Sequence, residues 1–496
     1  MNWRDEYRRK LTTAEDAVRV VKDGDLVNFS HAGPRVTQAA LYARRHELRN
    51  VTVRSMAPLD GLEWYSDPVG APFDMEVEIL LGAARASHDE RVTTYLPNLF
   101  TTIFKPVDEG RSSARVPDVY ITQVSAPNSQ GYVHFGPLHW YKRSYLRRSR
   151  YTIAEVNPAL PFVYGQNTAH VSEFDAFVEV EPLTVTREEL QAEIDAIEDA
   201  QRRALLDGWL KRTKDQNRFV NAKGKLHAVD LKLMARTLCL DEPTPEQLRI
   251  LEFVGSLIPD GATLQVGVGN PSQCLGTSGV LDGKRDLGVH SEILPRGLAT
   301  LVKKGVITGR RKNFNPGKVI GVAWFGANDE DVEFFIDNPA FELHDPEWTL
   351  NLRVMSQNDN LIAVNNAISV DLLGQINSET IFGGHMVGGT GGQPEAVYSA
   401  ILSRGGRAIH TIESTALGGS LSKIVAQHEP GTVVTVPRYY ADTIVTEWGI
   451  AELMGKNERQ RAEALIAIAH PDHRADLRRQ ADHLFYPDSV SVGSGA

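Results

Sequence analysis

Cysteine is scarce in this sequence, and long apolar segments are absent. The only cysteines among 496 residues are Cys239 and Cys274, and they form no C-x-x-C pair. Two isolated cysteines argue against a disulfide framework or a thiolate zinc site, and they suit a reducing compartment. No run of about 18 apolar residues occurs, and the charged start MNWRDEYRRK lacks the apolar segment of a signal peptide. We therefore expect a soluble, cytoplasmic protein without a membrane span.

An excess of positive charge is also absent. The chain carries 53 Lys and Arg against 63 Asp and Glu, which gives a formal net charge of −10. A mildly acidic protein binds polyanions poorly, so we do not expect nucleic acid as a partner. A single acidic ligand can still be bound locally by basic side chains and backbone N–H groups.

Two common kinds of catalytic motif are missing. No G-x-S-x-G motif is present, because the segment GGSLS at residues 418–422 lacks the final glycine. The 15 histidines form no H-E-x-x-H motif, and nothing in the sequence indicates a metal site. These absences leave a serine hydrolase and a metal-dependent enzyme without support.

What is present is the pattern of an α/β protein with a weak internal repeat. Short apolar runs alternate with helical stretches such as Gln393–Arg404, which predicts α/β units and largely parallel sheet. The segment VKDGDLVNFSHAGP has a D-G pair that starts eleven residues before Pro34, and IPDGATLQVGVGNP repeats this spacing before Pro271. Each segment predicts a turn, a buried strand and a glycine-bearing loop. Two related domains explain the repeat, and a chance likeness between D-G turns is the alternative.

A charge-rich segment of different character lies between the two repeats. Thr186 and Glu189 form the T-x-x-E pattern of a helix N-terminus, followed by apolar residues at helical spacing. We therefore divide the chain into an N-terminal α/β domain (1–185), a helical inter-domain insertion (186–240) and a C-terminal α/β domain (241–496). The sequence does not indicate what the insertion does.

Glu292 is the candidate reactive side chain. In the segment LGVHSE, a buried β-run at Leu287–Val289 precedes it, and a helical pattern begins near Gly297. Glu292 is therefore expected near the carboxyl end of a strand, where α/β sheets present their ligands. The alternative is that Glu292 is only a negative charge near a helix N-terminus, where the helix dipole favours it.

Two glycine-bearing segments are candidates for binding through the backbone. The segment GGHMVGGTGGQ at residues 383–393 has six glycines in eleven positions. Such density permits positive φ angles, and consecutive N–H groups can then form a nest for an oxyanion. The segment QVGVGNP at residues 265–271 is a strand-to-loop junction that suits a phosphate or a pantetheine amide chain. The first segment matches neither a P-loop nor a dinucleotide-binding pattern, and an ordinary turn is the alternative for both.

Together these motifs resemble the acetyl-CoA hydrolase/transferase family, part of the class I CoA-transferases. The similarity is closest to the 4-hydroxybutyrate and butyrate CoA-transferase branch, and it covers nearly the whole chain apart from residues 186–240. It rests on NSQGYVHFG, SEFDAFVEVEPL, DGATLQVGVGNP, LGVHSE, VNNAISVDLLGQINSE, GGTGGQ and VVTVPRYYADTIVTEWGIAELMGK, in that order. The resemblance implies two related open α/β domains with the active site in the cleft between them.

The resemblance also implies roles for individual residues. The nucleophilic glutamate of the family lies in a His-Thr/Ser-Glu motif and corresponds to Glu292. The family's first glycine loop contacts CoA and corresponds to Gly267, Val268, Gly269 and Asn270. Its second loop lies against the thioester and corresponds to Gly389, Thr390, Gly391, Gly392 and Gln393, with Gly388 as a further CoA contact.

Two segments beside these residues depart from the usual pattern of the family. Ile293–Gly297 stands where Met-x-x-Asp-Gly is common, and Pro394-Glu395-Ala396 stands where Val-Asp-Phe is common. Both segments flank the acyl site, so the identity of the acids stays open. The Trp140-Tyr141 pair is either a sign of a larger acceptor or ordinary packing, and packing is the simpler interpretation.

The function implied by the resemblance is that of an acyl-CoA:carboxylate CoA-transferase. It moves CoA between short-chain acids such as acetate and butyrate or 4-hydroxybutyrate, through a glutamyl-CoA thioester on Glu292. CoA and acyl-CoA are its substrates, no tightly bound cofactor is needed, and a homodimer is expected. One alternative is an acyl-CoA hydrolase, which releases CoA without a carboxylate acceptor. The other is a non-catalytic CoA-binding protein, whose CoA binding is indifferent to Glu292→Ala.

Overall fold

The computed structural model describes residues 2–31, 34–56, 64, 73–80, 83–181, 186–212, 243–324 and 334–486. Its strands, in chain order, are β1 (Leu26–Phe29), β2 (Val51–Ser55), β3 (Phe73–Val77), β4 (Thr93–Tyr95), β5 (Val119–Val124), β6 (Tyr132–His134), β7 (Tyr151–Val156), β8 (Tyr164–Gly165), β9 (Thr168–His170), β10 (Ala176–Glu179), β11 (Thr263–Val266), β12 (Gly288–His290), β13 (Ile293–Leu294), β14 (Val319–Gly321), β15 (Ala323–Trp324), β16 (Phe341–Leu343), β17 (Leu361–Asn366), β18 (Ser369–Asp371), β19 (Ile376–Asn377), β20 (Thr380–Ile381), β21 (His385–Met386), β22 (Arg407–Thr411), β23 (Thr415–Ala416), β24 (Leu421–Ser422), β25 (Ile424–Val425), β26 (Thr443–Thr446) and β27 (Gly449–Glu452).

The α-helices connect these strands and cover the sheets. In chain order they are α1 (Trp3–Lys10), α2 (Ala14–Ala17), α3 (Arg35–Ala43), α4 (Ala83–Asp89), α5 (Lys105–Asp108), α6 (Lys142–Arg148), α7 (Arg187–Asp195), α8 (Ala200–Arg212), α9 (Pro245–Leu257), α10 (Leu298–Lys303), α11 (Pro346–Thr349), α12 (Leu352–Met355), α13 (Gln393–Leu402), α14 (Glu458–Ile468) and α15 (Pro471–Phe485). Short 3-10 helices occur at Val18–Val20, Arg44–His46, Val171–Glu173, Ser272–Gly276 and Leu417–Gly419.

Two large sheets share one pattern of winding. In the described chain the first sheet has the order β10-β7-β5-β1-β2-β3-β4, and the second has β27-β26-β22-β17-β11-β12-β14-β16-β8. Pairing is parallel throughout, except between β26 and β27. In each sheet the chain first adds strands from a central strand, β1 or β11, towards one edge. Later strands, which begin with β5 or β17, are added on the other side of that central strand. The predicted α/β class with related halves and largely parallel sheet is therefore confirmed.

The reversal of winding creates a switch point in each sheet. It lies between β1 and β5 in the first sheet and between β11 and β17 in the second. Ligands of open α/β sheets bind beyond the carboxyl ends of the strands at such points. The repeated D-G segments both lead into the strands that border these points, β1 and β11. The repeat in the sequence thus corresponds to a repeat in topology.

The halves of the chain are not separate in space. Strand β8, from the first half, forms the edge of the second sheet by pairing Gly165 with Leu343. One apolar core also contains aromatic side chains of the first half and aliphatic side chains of the second, such as Leu350 and Val397. Trp140 and Tyr141 belong to this core and are 3% and 2% exposed, which supports the packing interpretation of this pair.

The segment after residue 185 begins as the sequence indicates. Helix α7 is capped by Thr186, whose hydroxyl accepts from the Glu189 N–H at 3.1 Å, while the Glu189 carboxylate accepts from the Thr186 N–H at 2.9 Å. Helix α8 follows, and residues 213–240 of the predicted insertion lie outside the described residues. The domain boundaries at 185 and 240 stay a prediction.

Gly165 is the residue on which the β8 edge depends. Its φ of +115° is left-handed, and a Cβ placed on it would overlap the carbonyl oxygen of Leu343. We expect Gly165→Ala to detach β8, to lower the thermal midpoint by several degrees, and to speed amide hydrogen exchange in β16. Gly110→Ala is the matched control, because Gly110 also has a positive φ but no atom within 4 Å of the added Cβ. Equal exchange in β16 for both variants would contradict the assignment of β8 to this sheet.

Candidate active site

Glu292 lies just beyond the carboxyl end of a central strand of the second sheet. Strand β12 runs between β11 and β14 and ends at His290, one residue later than the sequence predicted. Helix α10 begins only at Leu298, after Gly297 with a φ of +75°. Glu292 therefore does not lie in the first turn of the helix that follows it in sequence.

The backbone around Glu292 is fixed on both sides. The Ser291 hydroxyl accepts from the Val266 N–H at 3.1 Å, which joins this turn to the end of β11. The Glu292 carbonyl accepts from the N–H groups of Val322 at 2.9 Å and Ala323 at 3.2 Å. Burial lowers the pKa of His290 to about 3, so its ring is neutral. The side chain of Glu292 thus leaves the sheet from a backbone with little freedom.

The carboxylate of Glu292 is held by the second glycine segment. Its Oε2 accepts from the backbone N–H of Gly392 at 2.8 Å. Gly392 is the N-cap of helix α13, which ends at Leu402, two residues earlier than predicted. Glu292 as a residue is half-buried. A carboxylate at a helix N-terminus is favoured by the helix dipole. The helix concerned is α13, and not α10, which follows Glu292 in sequence.

The environment disfavours the charged form of Glu292. Burial raises its pKa to about 8; the Gly392 N–H lowers the pKa in part, and the negative charge of Glu395 raises it. A pKa shift measures the difference in stabilisation of the two protonation states, so the anion of Glu292 is poorly stabilised here. Any reaction that makes this carboxylate neutral is favoured by the same environment.

The first glycine segment lies at the switch point of the second sheet. Gly267 follows β11, and its N–H donates to the Val364 carbonyl at 2.8 Å. Val268 is 62% exposed at the tip of the loop. The Asn270 amide oxygen accepts from the Gln273 side chain at 2.7 Å, so it is engaged within the loop. An exposed apolar tip on a fixed backbone is suited to contact with a ligand.

Asn366, at the end of β17, holds this loop in place. Its Nδ2 donates to the carbonyls of Val268 at 2.9 Å and Gly269 at 2.8 Å. Its own carbonyl accepts from the Gln393 side chain at 3.4 Å. Asn366 therefore joins the two glycine segments around the carboxyl ends of β11 and β17, next to the strand that carries Glu292.

The first sheet supports the second glycine segment from the opposite side. The Tyr95 hydroxyl accepts from the Thr390 N–H at 3.2 Å and lies 3.2 Å from the Thr390 hydroxyl. A Cβ on Gly389 would lie 2.9 Å from the Glu78 carbonyl oxygen, so the backbones pack closely there. Residues at the ends of β3 and β4 thus hold the loop that donates to Glu292.

A second connection between the halves involves a residue beyond the glycines. The Glu395 Oε1 accepts from both the N–H and the hydroxyl of Thr101, each at 2.7 Å. Burial raises the pKa of Glu395 to about 7, and the Thr101 hydroxyl and N–H lower it in part. Two carboxyl groups with raised pKa values, Glu292 and Glu395, therefore lie near the start of α13.

The predicted residues of both glycine segments and Glu292 lie around one set of strand ends. The sequence interpretation missed the residues that hold them: Tyr95 and Thr101 carry no motif, and Glu395 was noted only as a departure from a family pattern. Asn366 lies in the segment VNNAISVDLLGQINSE, which supported the resemblance but gave no individual role. The Asn365-Asn366 pair directly after the apolar run Leu361–Val364 was a signal from which Asn366 could have been found.

Among the residues with described positions, no group of three or more His, Cys, Asp or Glu side chains is arranged to hold a metal ion. In the same part of the chain, every helix is too short or too polar to cross a membrane.

Known proteins match nearly the whole length of this chain. Family models described as the acetyl-CoA hydrolase/transferase N-terminal and C-terminal domains match residues 1–188 and 329–481. A 4-hydroxybutyrate coenzyme A transferase of Clostridium kluyveri is 31% identical over 97% of this chain and 99% of its own length. An acetyl-CoA hydrolase of Kluyveromyces lactis is 22% identical over 96% of this chain and 90% of its own.

Solved structures show the same architecture. RipA from Yersinia pestis superposes with a TM-score of 0.77 at 27% identity, covering 98% of this chain and 99% of RipA. A 4-hydroxybutyrate CoA-transferase from Porphyromonas gingivalis gives a TM-score of 0.68 at 27% identity, covering 97% of this chain and 100% of that protein.

The raised pKa of Glu292 predicts a pH-dependent effect of Glu292→Gln on stability. A carboxyl with a raised folded-state pKa gives stability that is complete below its ordinary pKa of 4.5 and is lost as pH rises through about 8. Glutamine keeps the acceptor for Gly392 but never ionises. We expect equal thermal midpoints at pH 5 and a midpoint about 2–4 °C higher for the variant at pH 9. Parallel midpoint curves across this range would show that the Glu292 pKa is ordinary.

Proposed function

Because the chain belongs to the acetyl-CoA hydrolase/transferase family, we propose that it is an acyl-CoA:carboxylate CoA-transferase with Glu292 as the nucleophile. It moves CoA between short-chain acids such as acetate and butyrate or 4-hydroxybutyrate. The observation that carries this proposal is the hydrogen bond from the Gly392 N–H to the Glu292 carboxylate. It combines a desolvated carboxylate with a backbone donor at the end of a central strand.

The proposed reaction runs through two covalent states of Glu292. The carboxylate oxygen attacks the thioester carbonyl, the C–S bond breaks, and CoA leaves as the thiolate, which gives an acyl-glutamyl anhydride. The thiolate then attacks the glutamyl carbonyl and releases the first acid as a carboxylate, which leaves a glutamyl-CoA thioester. The acceptor carboxylate reverses these steps. No net proton is consumed, and the desolvated environment that raises the pKa of Glu292 favours both neutral covalent states.

The second glycine segment is proposed to stabilise the oxyanions of these steps. Each attack places negative charge on a carbonyl oxygen, and backbone donors aimed at that charge are the usual means of stabilising it. The segment Gly389–Gln393 supplies such donors, and its Gly392 N–H already points to the carboxyl that reacts. Gly391, with a φ of +57°, lets the backbone turn within this segment. Gly388, with no atom within 4 Å of an added Cβ, leaves space that suits a CoA contact.

The first glycine segment is proposed to bind CoA through residues 267–270. The exposed Val268 and the fixed carbonyls beside it suit the apolar and amide groups of pantetheine. No tightly bound cofactor takes part, since thioester exchange needs none. The proposal also includes a homodimer in the cytoplasm, which follows from the family resemblance.

Net hydrolysis of acyl-CoA by the same glutamate is the second candidate function. It differs only in that water, rather than a carboxylate, resolves the intermediate. The relative named as a transferase is the more similar of the two reported above, which supports transfer. Exclusion of water from the cleft decides between the two outcomes.

The intermediate predicts a covalent adduct that mass spectrometry can map. Incubation of the protein with acetyl-CoA and no acceptor should add a CoA-sized mass to the peptide that contains Glu292. Added butyrate should discharge the adduct to butyryl-CoA, and Glu292→Gln should form none. Steady release of CoA without an acceptor would instead identify a hydrolase. Equal CoA binding by wild type and Glu292→Ala, without adduct or turnover, would contradict both enzymatic functions and identify a CoA-binding protein.

The variant Gly392→Ala should displace the Glu292 carboxylate while the protein still folds. Its Cβ would overlap the Glu292 carboxylate and lie 3.1 Å from Leu350 Cδ1, so the nucleophile is displaced. Misplacement of a reacting group by about 1 Å costs roughly 10²-fold in rate, and we expect kcat for CoA transfer to fall by about that factor. Gly283→Ala is the control, because no atom lies within 4 Å of its added Cβ. A Gly392→Ala enzyme with kcat like that of the control would contradict the position assigned to Glu292.

A further inference from the structure

Glu395 is a buried carboxyl group that the proposed reaction does not use. Its relative exposure is 0%, and within the described chain its Oε2 has no hydrogen-bond partner. The other oxygen accepts both hydrogen bonds from Thr101, a residue of the first half of the chain. A buried carboxyl costs stability unless it is well paired, so the presence of Glu395 at this position needs a physical explanation.

The link to Thr101 fixes the first turn of α13. Glu395 lies three residues after Gly392, and the Ala396 N–H donates to the Gly392 carbonyl at 2.9 Å. The Thr101 segment is itself held, because the Tyr141 hydroxyl donates to the Phe100 carbonyl at 3.0 Å. The direction of the Gly392 N–H, and with it the position of the Glu292 carboxylate, is therefore set from the first half of the chain.

Glu395 also acts on Glu292 through its charge. Burial makes the largest contribution to the raised pKa of Glu292. The Gly392 N–H lowers this pKa in part, and the negative charge of Glu395 raises it. Among the described residues, Glu395 is the ionisable group whose charge acts on the pKa of Glu292. Burial and hydrogen bonds set the pKa of Glu395 itself, and its charge, after burial and Glu78, also raises the pKa of Tyr141. No cation among these groups offsets the charge of Glu395 at Glu292.

We propose that Glu395 is a positioning residue for the reaction at Glu292, which fixes the Gly392 turn through Thr101 and places a negative charge beside the nucleophile. The inference rests on the proposed function. When Glu292 is acylated it loses its charge, and the repulsion from Glu395 ends. The free carboxylate is destabilised relative to the anhydride and the thioester, so the charge of Glu395 favours formation of the covalent states.

A purely structural link is the competing explanation, and the chain offers a matched control for it. Glu155, in β7, is 2% exposed and accepts from the N–H and the hydroxyl of Thr37, each at 2.9 Å. It reproduces the burial and the threonine donor pair of Glu395 in the first sheet. Both carboxylates also accept from preceding backbone N–H groups, of Phe100 for Glu395 and of Val36 and Arg35 for Glu155. Glu155 does not contribute to the pKa of Glu292. Glu155→Gln therefore reports the effect of neutralising a buried carboxyl held in this way.

The experiment measures the pH dependence of CoA transfer from acetyl-CoA to butyrate by wild type, Glu395→Gln, Glu395→Asp and Glu155→Gln. Glutamine keeps the acceptor for Thr101 but removes the charge, while aspartate keeps the charge. For Glu395→Gln we expect the acid limb of kcat/KM to move about one pH unit lower, and kcat on the alkaline plateau to fall about tenfold with KM nearly unchanged. Glu395→Asp should retain the wild-type limb and restore most of kcat. Glu155→Gln should leave the limb in place.

The outcomes separate the two proposals. If the acid limb of the kcat/KM profile of Glu395→Gln coincides with that of wild type, and the variant loses as much stability as Glu155→Gln, only the role of Glu395 is overturned. If Glu395→Gln fails to fold, Thr101→Val replaces it: loss of one donor raises the pKa of Glu395 and should move the limb in the same direction by a smaller amount. An unchanged limb in that variant would also overturn the inference. Absence of the Glu292 adduct in wild type contradicts the proposed function, and this inference with it.

Discussion

The hydrogen bond from the Gly392 N–H to the Glu292 carboxylate is the contact on which the rest of the site depends. A single backbone donor to a charged group contributes about 1.5–3 kcal/mol, which is less than burial of a carboxylate costs. The bond therefore fixes the position of Glu292 without making its anion stable, and the pKa stays near 8. The position and the reactivity of Glu292 come from the same arrangement, in which the Gly392 N–H is the donor, little water is present and the carboxyl of Glu395 lies nearby.

Neither half of the chain builds this arrangement alone. Glu292 follows a strand of the second sheet, but the loop that holds it is supported by Tyr95, the last residue of β4, and by Thr101, which comes after β4. The close approach of Gly389 to the Glu78 backbone adds a contact that only glycine permits. Because the supports cross between the halves, small relative movements of the two sheets act directly on the nucleophile. This is a physical reason for a site in the cleft between two sheets rather than within one.

Much of the fold was predictable, because it rests on local signals. Short apolar runs, D-G turns and the capping box at Thr186 are recognised from neighbouring residues, and the repeat indicated two related halves. Glu292 and the glycine segments were found for the same reason, with family resemblance supplying their roles. The contacts of Thr101 with Glu395 span 294 positions, and no local pattern encodes them. The edge strand at Gly165 was missed because it pairs with a distant part of the chain.

Direct titration of the Glu292 carboxyl shows whether burial makes this group a nucleophile. Infrared difference spectra between wild type and Glu292→Gln, recorded from pH 4 to pH 10, isolate the carboxyl and carboxylate bands of this one side chain. We predict that the carboxylate band appears with a midpoint near the pKa of about 8 that burial produces. A midpoint near the ordinary value of 4.5 would show that Glu292 is well solvated, and would contradict the proposal that desolvation makes it a nucleophile.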